Sequence, residues 1–251
     1  MRVKSLGYQT DLMVDEFDSE FIDRGSYLVI VTPSVPSYIW GNYLLFGDPP
    51  KPGDFVNWQR IFAEEIGCRP AIQHRAFGWD SPAGDVGHIE PFLQAKFRLF
   101  QRTVFVASKV HQPPQYNSSI IVKVVVNESD WQQAIHRHHR SEEAMLRYRA
   151  MTQAGRSKWF GAFVGDILVG GLGITVKGGI GRFMDVGTHP DFRRRGICRS
   201  LVYQASCYAF EHMGVESLVM VAVEDSEAAR IYEQIGFRSV ERQVGSDDLR
   251  P

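Results

Sequence analysis

The stretch HPDFRRRGICRS, residues 189–200, sets three arginines, Arg193, Arg194 and Arg195, directly against Gly196, where a helical pattern begins. The first amides of a helix lack intrahelical acceptors and carry partial positive charge, so a strand-turn-helix corner of this kind can hold an anion. Gly196 lets the backbone come close to a ligand, and the arginines add forked donors and long-range attraction. Arginines at a helix start oppose the helix dipole, and that unfavourable placement itself points to an anionic ligand; a polyphosphate suits the corner. The bland reading is a solvated basic helix start. Two familiar phosphate loops are excluded: there is no GxxxxGK[ST], and GGLGITVKGGIG (170–181) is not a GxGxxG that opens a helix.

Other chemistry-bearing residues are sparser. Asp185, His189, Glu224 and Asp225 fall at the ends of two expected strands that should flank a cleft. A water-linked carboxylate there would take a proton from an attacking nucleophile. Glu224 is preferred for that role, with Asp185 left as a cation anchor or a plain strand-end residue. The HRHHR cluster sets His136 and His139 one helical turn apart, with His138 between them. Neither a carboxylate nor a third imidazole at convincing spacing completes a set, so a polar helix face is preferred and no metal is expected. No GxSxG elbow and no cysteine–histidine order supports nucleophilic hydrolysis.

The elements that must position these residues read most clearly in the second half. A β-branched run from Val122 to Val126 precedes a helix capped near Asn127 or Ser129, and a second helix covers Glu142 to about Ala154. WFGAFVGDILVGGLGITV is two apolar strands joined at Gly165-Asp166, and Gly178-Gly179 leads into a third, GRFMDVGTH. After the arginine corner, Leu201, Val202, Ala205, Ala209 and Met213 mark one side of a helix that Gly214 ends. ESLVMVAV, SEAARIYEQI and FRSVERQV then read as strand, helix and strand.

The first half repeats the closing part of this order. YLVIVTP and SYIWGNYLLF are expected strands, GDFVNWQRIFAEEIG a helix, AIQHRAFGWD a strand, HIEPFLQAKFRLF a helix with Pro91 in its first turn, and RTVFVAS a strand. Two similar lobes follow, with the polar, proline-bearing KVHQPPQYNSS as the linker.

RRRGIC, Arg193 to Cys198, resembles motif A of the GCN5-related N-acetyltransferases, [QR]-x-x-G-x-[GA], and VGTHPDF resembles the strand and proline that lead into it. DSEAARIYEQIGF is similar to the family's N-x-x-A-x-x-x-Y-E-x-x-G-F, with Ala228, Tyr232, Glu233, Gly236 and Phe237 in register. The likeness spans roughly residues 119 to 245. Cys198 stands where the family has Gly or Ala, and Asp225 where Asn is common.

The resemblance implies an α/β (α+β) fold, a mixed, mainly antiparallel twisted sheet flanked by helices. It implies two tandem lobes: a degenerate copy at 1–118 and a catalytic domain at 119–251. Acetyl-CoA is the implied co-substrate, with its pyrophosphate over the amides of Arg194, Arg195, Gly196, Ile197, Cys198 and Arg199, and Arg193 opening the loop. The pantetheine arm would contact Val186, Gly187 and Thr188, with Asp225 nearby and Gly187 suggesting a bulge that aims a backbone N–H at the thioester. Tyr232 is the implied acid that protonates the departing thiolate, and Glu224 the expected base. The implied reaction is acetyl transfer to a primary amine of unnamed identity by direct attack; the alternative is a non-catalytic acyl-CoA-binding regulator.

In the first lobe, FGDPPKPGDF occupies the place of the arginine corner. Pro49, Pro50 and Pro52 delete backbone donors and Asp48 and Asp54 add negative charge, so that lobe should not bind CoA in the same way. Completing the acceptor pocket, stabilising the catalytic lobe and mediating homodimer contacts remain its open roles. Its aromatics Trp40, Tyr43, Trp58, Phe77 and Trp79 are expected mostly in the core.

Bulk composition argues against several classes. A net charge of -1 with 23% charged residues gives no polyelectrolyte signature, so no nucleic-acid partner is expected. No window approaches the ~18 apolar residues of a membrane span, and the start of the chain has no signal-peptide core. Cys68, Cys198 and Cys207 lack CxxC spacing, which fits a reduced, cytoplasmic setting.

Overall fold

In the computed structural model, which describes residues 1–137 and 141–249, the chain falls into two units, Met1–Val104 with Glu241–Pro251 and Phe105–Val240. His138 and His139 of the histidine cluster lie outside the described residues. The expected boundary at 118/119 differs from this division: residues 105–118 fall in the second unit and the end of the last strand in the first. The physical reason is where the backbone is held. KVHQPPQYNSS is tied down within the second unit, with the His111 amide donating to the Ile235 carbonyl at 2.9 Å.

The first unit contains α1 (Leu6–Asp15), β1 (Glu20–Asp23), β2 (Tyr27–Val31), β3 (Tyr43–Phe46), α2 (Asp54–Glu65), β4 (Arg75–Trp79), α3 (Glu90–Gln94) and β5 (Arg98–Ala107), which ends past the division. Its sheet runs β1-β2-β3-β4, with β3 and β4 parallel and the other pairs antiparallel; the last strand of the chain, β11 (Arg238–Asp248), lies antiparallel to β4. Alternation sorts the side chains to two faces. Leu44 and Phe46 join Trp58, Ile61, Phe62, Phe77 and Phe92 on one, while Tyr43 and Leu45 join Tyr8 of α1 on the other. Tyr43, Trp58, Phe77 and Trp79 are buried and Trp40 is half-buried. Phe46 and Trp58 stack at 3.8 Å between ring centroids.

Two expected elements are shorter here. SYIWGNYLLF opens with a 3-10 turn at Ile39–Gly41 instead of a strand, because Asn42 folds back and its amide donates to the carbonyls of Tyr38 (2.8 Å) and Val35 (3.1 Å). HIEPFLQAKFRLF stops being helical after Gln94, where Lys96 takes a left-handed φ of 68°, and Arg98 already begins β5. Helix α1, capped by the Ser5 hydroxyl, and β1 were not evident from the pattern of residues 1–23.

The second unit contains β6 (Ile121–Val124), α4 (Glu128–Arg137), α5 (Glu142–Gln153), β7 (Ser157–Val164), β8 (Ile167–Lys177), β9 (Ile180–Thr188), α6 (Ile197–His212), β10 (Ser217–Val223) and α7 (Glu227–Glu233). Its strand order β10-β9-β8-β7-β6 is antiparallel except for the β9/β10 pair. Val164 pairs with Ile167 around Gly165-Asp166, and Lys177 with Ile180 around Gly178-Gly179. Both glycines of the second turn have positive φ, 55° and 78°, which the tight turn requires. Helix α6 lays Leu201, Val202, Ala205 and Ala209 onto Leu172, Ile174, Leu218 and Met220 of the sheet. Full burial of each leucine is worth about 1.5–3 kcal/mol.

The order strand, helix, strand, helix, strand thus occurs twice, as β3-α2-β4-α3-β5 and β9-α6-β10-α7-β11, each opening with a parallel pair.

Candidate active site

The two parallel pairs differ in how far they close. In the second unit, β9 and β10 pair only through Ile180, Gly181 and Arg182. β9 continues to Thr188 and stays paired with β8 on its other side as far as Gly170 opposite Thr188. From Phe183 onward, β9 therefore presents a backbone edge that β10 does not take up, and the edge of β10 beyond Val219 faces the same opening. In the first unit, β3 and β4 pair to the end of both strands, Phe46 against Trp79, and the Asp80 amide extends the contact to the Phe46 carbonyl at 2.9 Å. That pair has no opening.

β9 also changes its register within this open stretch. Gly171 faces Gly187 and Gly173 faces Met184, so Leu172 alone opposes both Asp185 and Val186. This is a β-bulge. It sits before Gly187, the residue expected to carry it, and the left-handed backbone belongs to Asp185 at φ 44°. The strand count forces this correction, because Gly187 itself remains paired across to Gly171. Asp185 is held by the Tyr148 hydroxyl of α5, which donates to Oδ2, and Tyr148 stacks on Trp159 at 5.2 Å.

Past Thr188 the chain turns sharply. The His189 amide returns to the Val169 carbonyl at 2.9 Å, a 3-10 turn covers Pro190–Phe192, and the Arg193 amide closes onto Pro190 at 3.2 Å. Arg194 (φ 60°) and Gly196 (φ 74°) both adopt left-handed backbone, and α6 starts at Ile197. The first helical amide to find an acceptor is that of Ser200, on the Gly196 carbonyl at 3.2 Å. Among the described residues nothing accepts a hydrogen bond from the amides of Arg194, Arg195, Gly196, Ile197, Cys198 or Arg199. Consecutive unpaired donors at the start of a 16-residue helix are able to receive an anion.

The side chains around this run add to it. Arg193, Arg194 and Arg195 are exposed. Arg195 lies over the Phe192 ring at 5.1 Å and donates to the Asp191 carbonyl at 3.0 Å, while Arg193 reaches the Thr188 carbonyl at 3.4 Å. Arg199 donates through Nη1 to Gln115, and its buried Nε has no acceptor among the described residues. The buried Thr188 hydroxyl at the end of β9 is likewise without a protein partner.

Tyr232 sits on α7, whose first turn is capped by the Ser226 hydroxyl accepting from the Ala229 amide at 3.1 Å. Its ring is 5% exposed and meets Phe105 edge-on and Phe237. No described residue hydrogen-bonds its hydroxyl. Burial, reinforced by the Cys198 thiol, holds the phenol far above its ordinary range, against an opposing pull from Arg182. Burial likewise pushes the Cys198 thiol up to about 12. Tyr232 is thus a protonated phenol and Cys198 a thiol rather than a thiolate.

Glu224 and Asp225 occupy the exposed turn that leaves β10, and Asp225 has a left-handed φ of 56°. Asx side chains tolerate that backbone better than most, which accounts for an Asp at this point. Val186, Gly187 and Thr188 lie half-buried on the open part of β9. Among the described residues no group of three or more His, Cys, Asp and Glu is placed to hold a metal ion, and no helix is long and apolar enough to cross a membrane. Tyr148, Gln115 and Asn117 contribute to the site without having been singled out in sequence. Tyr148 lay hidden in an amphipathic helix, and the other two in a polar stretch with a linker's composition.

A splayed parallel pair, a bulged strand and a helix start with unpaired amides lie together in a mixed α/β unit. The model of the acetyltransferase (GNAT) family matches residues 126–237. The whole chain is similar in fold to a GCN5-related N-acetyltransferase from Kribbella flavida, with a TM-score of 0.69 at 11% identity, covering 97% of this chain and 96% of that one. It is also similar to a functionally unknown conserved protein from Staphylococcus epidermidis, with a TM-score of 0.73 at 12% identity over 93% and 95% of the two chains. A tandem GNAT protein from the clavulanic acid biosynthesis pathway aligns with a TM-score of 0.53 at 15% identity, over 75% of this chain and 69% of its own. No protein of curated function matches the sequence.

Proposed function

We propose that the second unit transfers an acetyl group from acetyl-CoA to a primary amine by direct attack. The observation that carries this reading is the run of amides from Arg194 to Arg199 without acceptors, directly beyond the open edge of β9. Those donors, with the unpartnered Nε of Arg199 and the three exposed arginines, fit a pyrophosphate. The open edge of β9 at Val186, Gly187 and Thr188 suits the amide-bearing pantetheine arm, which can add to a free strand edge. The first unit lacks these features among the described residues: its β3/β4 pair is closed, and the amides of Lys51 and Asp54 at its helix start already donate to Asp54 Oδ2 at 2.7 Å and the Lys51 carbonyl at 3.0 Å.

In the reaction, the amine nitrogen forms a bond to the thioester carbonyl carbon, and charge builds on the carbonyl oxygen. Backbone N–H groups at the bulged part of β9 are the donors available to stabilise it. Collapse of the adduct breaks the C–S bond and Tyr232 gives its proton to the departing thiolate; burial disfavours the phenolate left behind, so the transfer relies on positioning and on prompt reprotonation from water. The proton lost by the ammonium leaves through water to Glu224 at the mouth of the opening. A neutral Cys198 thiol disfavours an acyl-enzyme and supports the direct route.

The test is thiol release from acetyl-CoA across a panel of amines, with Tyr232→Phe and Gly196→Glu alongside. Amine-dependent release is expected. In Tyr232→Phe, kcat should fall about 100-fold or more, with CoA affinity within twofold of the parent. Tight CoA binding without turnover, indifferent to Tyr232→Phe, would instead establish a non-catalytic CoA-binding regulator.

A further inference from the structure

The segment between β5 and β6 does more than join them. It leaves β5 past Gly236, where an added Cβ would meet the Lys109 carbonyl at 3.2 Å and His111 Nδ1 at 3.1 Å. It then reaches Gly196, whose missing Cβ would lie 2.7 Å from the Gln115 carbonyl. Both motif glycines, one opening α6 and one following α7, are therefore covered by this single strap.

At the α6 end the strap is fastened by a dense set of bonds. Asn117 Nδ2 donates to the Arg195 carbonyl at 2.7 Å, and the Asn117 amide donates to the fully buried Ser200 hydroxyl at 2.7 Å. Asn117 Oδ1 is in turn fixed by the Ser119 amide at 2.9 Å and the Ser119 hydroxyl at 2.6 Å. Gln115 Oε1 accepts from Arg199, and Tyr116 meets Tyr203 of α6 edge-on at 5.9 Å. Each polar contact uses a carbonyl or side chain of the corner. None consumes the amides of Arg194 to Arg199, so the strap holds the loop's shape and leaves its donors to a ligand.

We propose that Asn117 is a positioning residue for the polyphosphate end of CoA, acting through the Arg195 carbonyl and Ser200 to hold the 193–199 loop in its anion-receiving form. This rests on the acetyl-CoA reading above. A loop with left-handed residues at 194 and 196 is costly to hold, and freed from the strap it would spread over other conformers and dilute the competent one. Asn117 touches none of the reacting atoms in this scheme, so its effect belongs to binding and not to acyl transfer.

The experiment uses the full chain with Asn117→Ala and Asn117→Asp. Amide hydrogen exchange without ligand should speed up about fivefold or more at the bonded amides of the corner, Arg193 and Ser200, in Asn117→Ala, the loss of one or two hydrogen bonds, while peptides of the first unit keep the parent rate. The Kd for CoA should rise by a similar factor. Asn117→Asp, which keeps the acceptor for Ser119 but sets a negative charge beside the loop, should bind CoA more weakly still. In turnover the rise should fall on KM for acetyl-CoA, with kcat at saturation moving less than twofold. Acetyl-pantetheine, which lacks the polyphosphate, should be used by parent and Asn117→Ala alike. Unchanged exchange at the Arg193 and Ser200 amides, or an equal loss with acetyl-pantetheine, overturns the positioning role. An exchange effect in Asn117→Ala together with a parent chain that binds no CoA overturns the acetyl-CoA reading, and with it the strap's part in affinity.

Discussion

Gly196→Ala is the sharpest probe of the corner. At φ 74° an alanine pays about 1–2 kcal/mol for left-handed backbone. Its Cβ would stand 2.7 Å from the Gln115 carbonyl, far inside contact distance, and overpacking of that kind costs about 1–3 kcal/mol. The alternative is for the strap to withdraw, which breaks the two Asn117 bonds to Arg195 and Ser200 at about 1 kcal/mol each. The first route gives a loss of roughly 2–5 kcal/mol and the second roughly 3–4 kcal/mol, and at about 2–4 °C per kcal/mol for a chain of this length the melting midpoint should drop by roughly 4–20 °C. Gly196→Asn separates the two causes, because Asn tolerates the left-handed region but brings the same Cβ. It should recover part of the loss, about 1 kcal/mol, and no more. The assay is thermal unfolding followed by CoA titration. An alanine variant that melts within 1 °C of the parent and binds CoA equally well would refute both the strain at Gly196 and the closeness of the strap.

Two further outcomes follow from buried titratable groups. With its thiol pushed up to about 12, Cys198 should be alkylated at pH 8 several orders of magnitude more slowly than an ordinary thiol, and exposed Cys68 should react first; peptide mass spectrometry that finds equal labelling would contradict the burial argument. Burial holds the His74 imidazole below its ordinary value near 6.5, with Nε2 3.1 Å from the Asn42 carbonyl. The unfolded chain therefore binds the proton more readily, so this contribution to stability is present above about pH 6.5 and is lost as pH falls below it. Denaturant midpoints at pH 7.5 and pH 5 should lie closer together in His74→Gln than in the parent, and an unchanged gap would count against a neutral buried imidazole.

The sequence by itself determined what local chemistry controls. Gly165-Asp166 and Gly178-Gly179 stand out because tight turns favour glycine, or an Asp beside it, and the turns formed there. The RRRGIC and EAARIYEQIGF stretches were legible because helix starts and ends carry their own capping and charge signals over a few residues. The repeated strand-helix order was legible for the same reason. Period and punctuation are local, whereas the left-handed end of the short α3 and the 3-10 turn before β3 came from contacts that no periodicity announces.

Only the tertiary structure decided where the strands part, which residue takes the bulge and what the intervening segment does. Pairing between β9 and β10 depends on residues nearly forty positions apart, so the opening past Arg182, and its absence between β3 and β4, leaves no mark in either strand's composition. The bulge passed to Asp185 because the count across to β8 requires an extra residue there, with Tyr148 from α5 to hold the carboxylate. KVHQPPQYNSS has the composition of a solvated linker because it is fastened largely by polar bonds, Asn117 to the Arg195 carbonyl and the Ser200 hydroxyl and Gln115 to Arg199. Hydrogen bonding of that kind is set by what lies opposite in space, and Gly196 and Ser200 lie some eighty residues further along the chain.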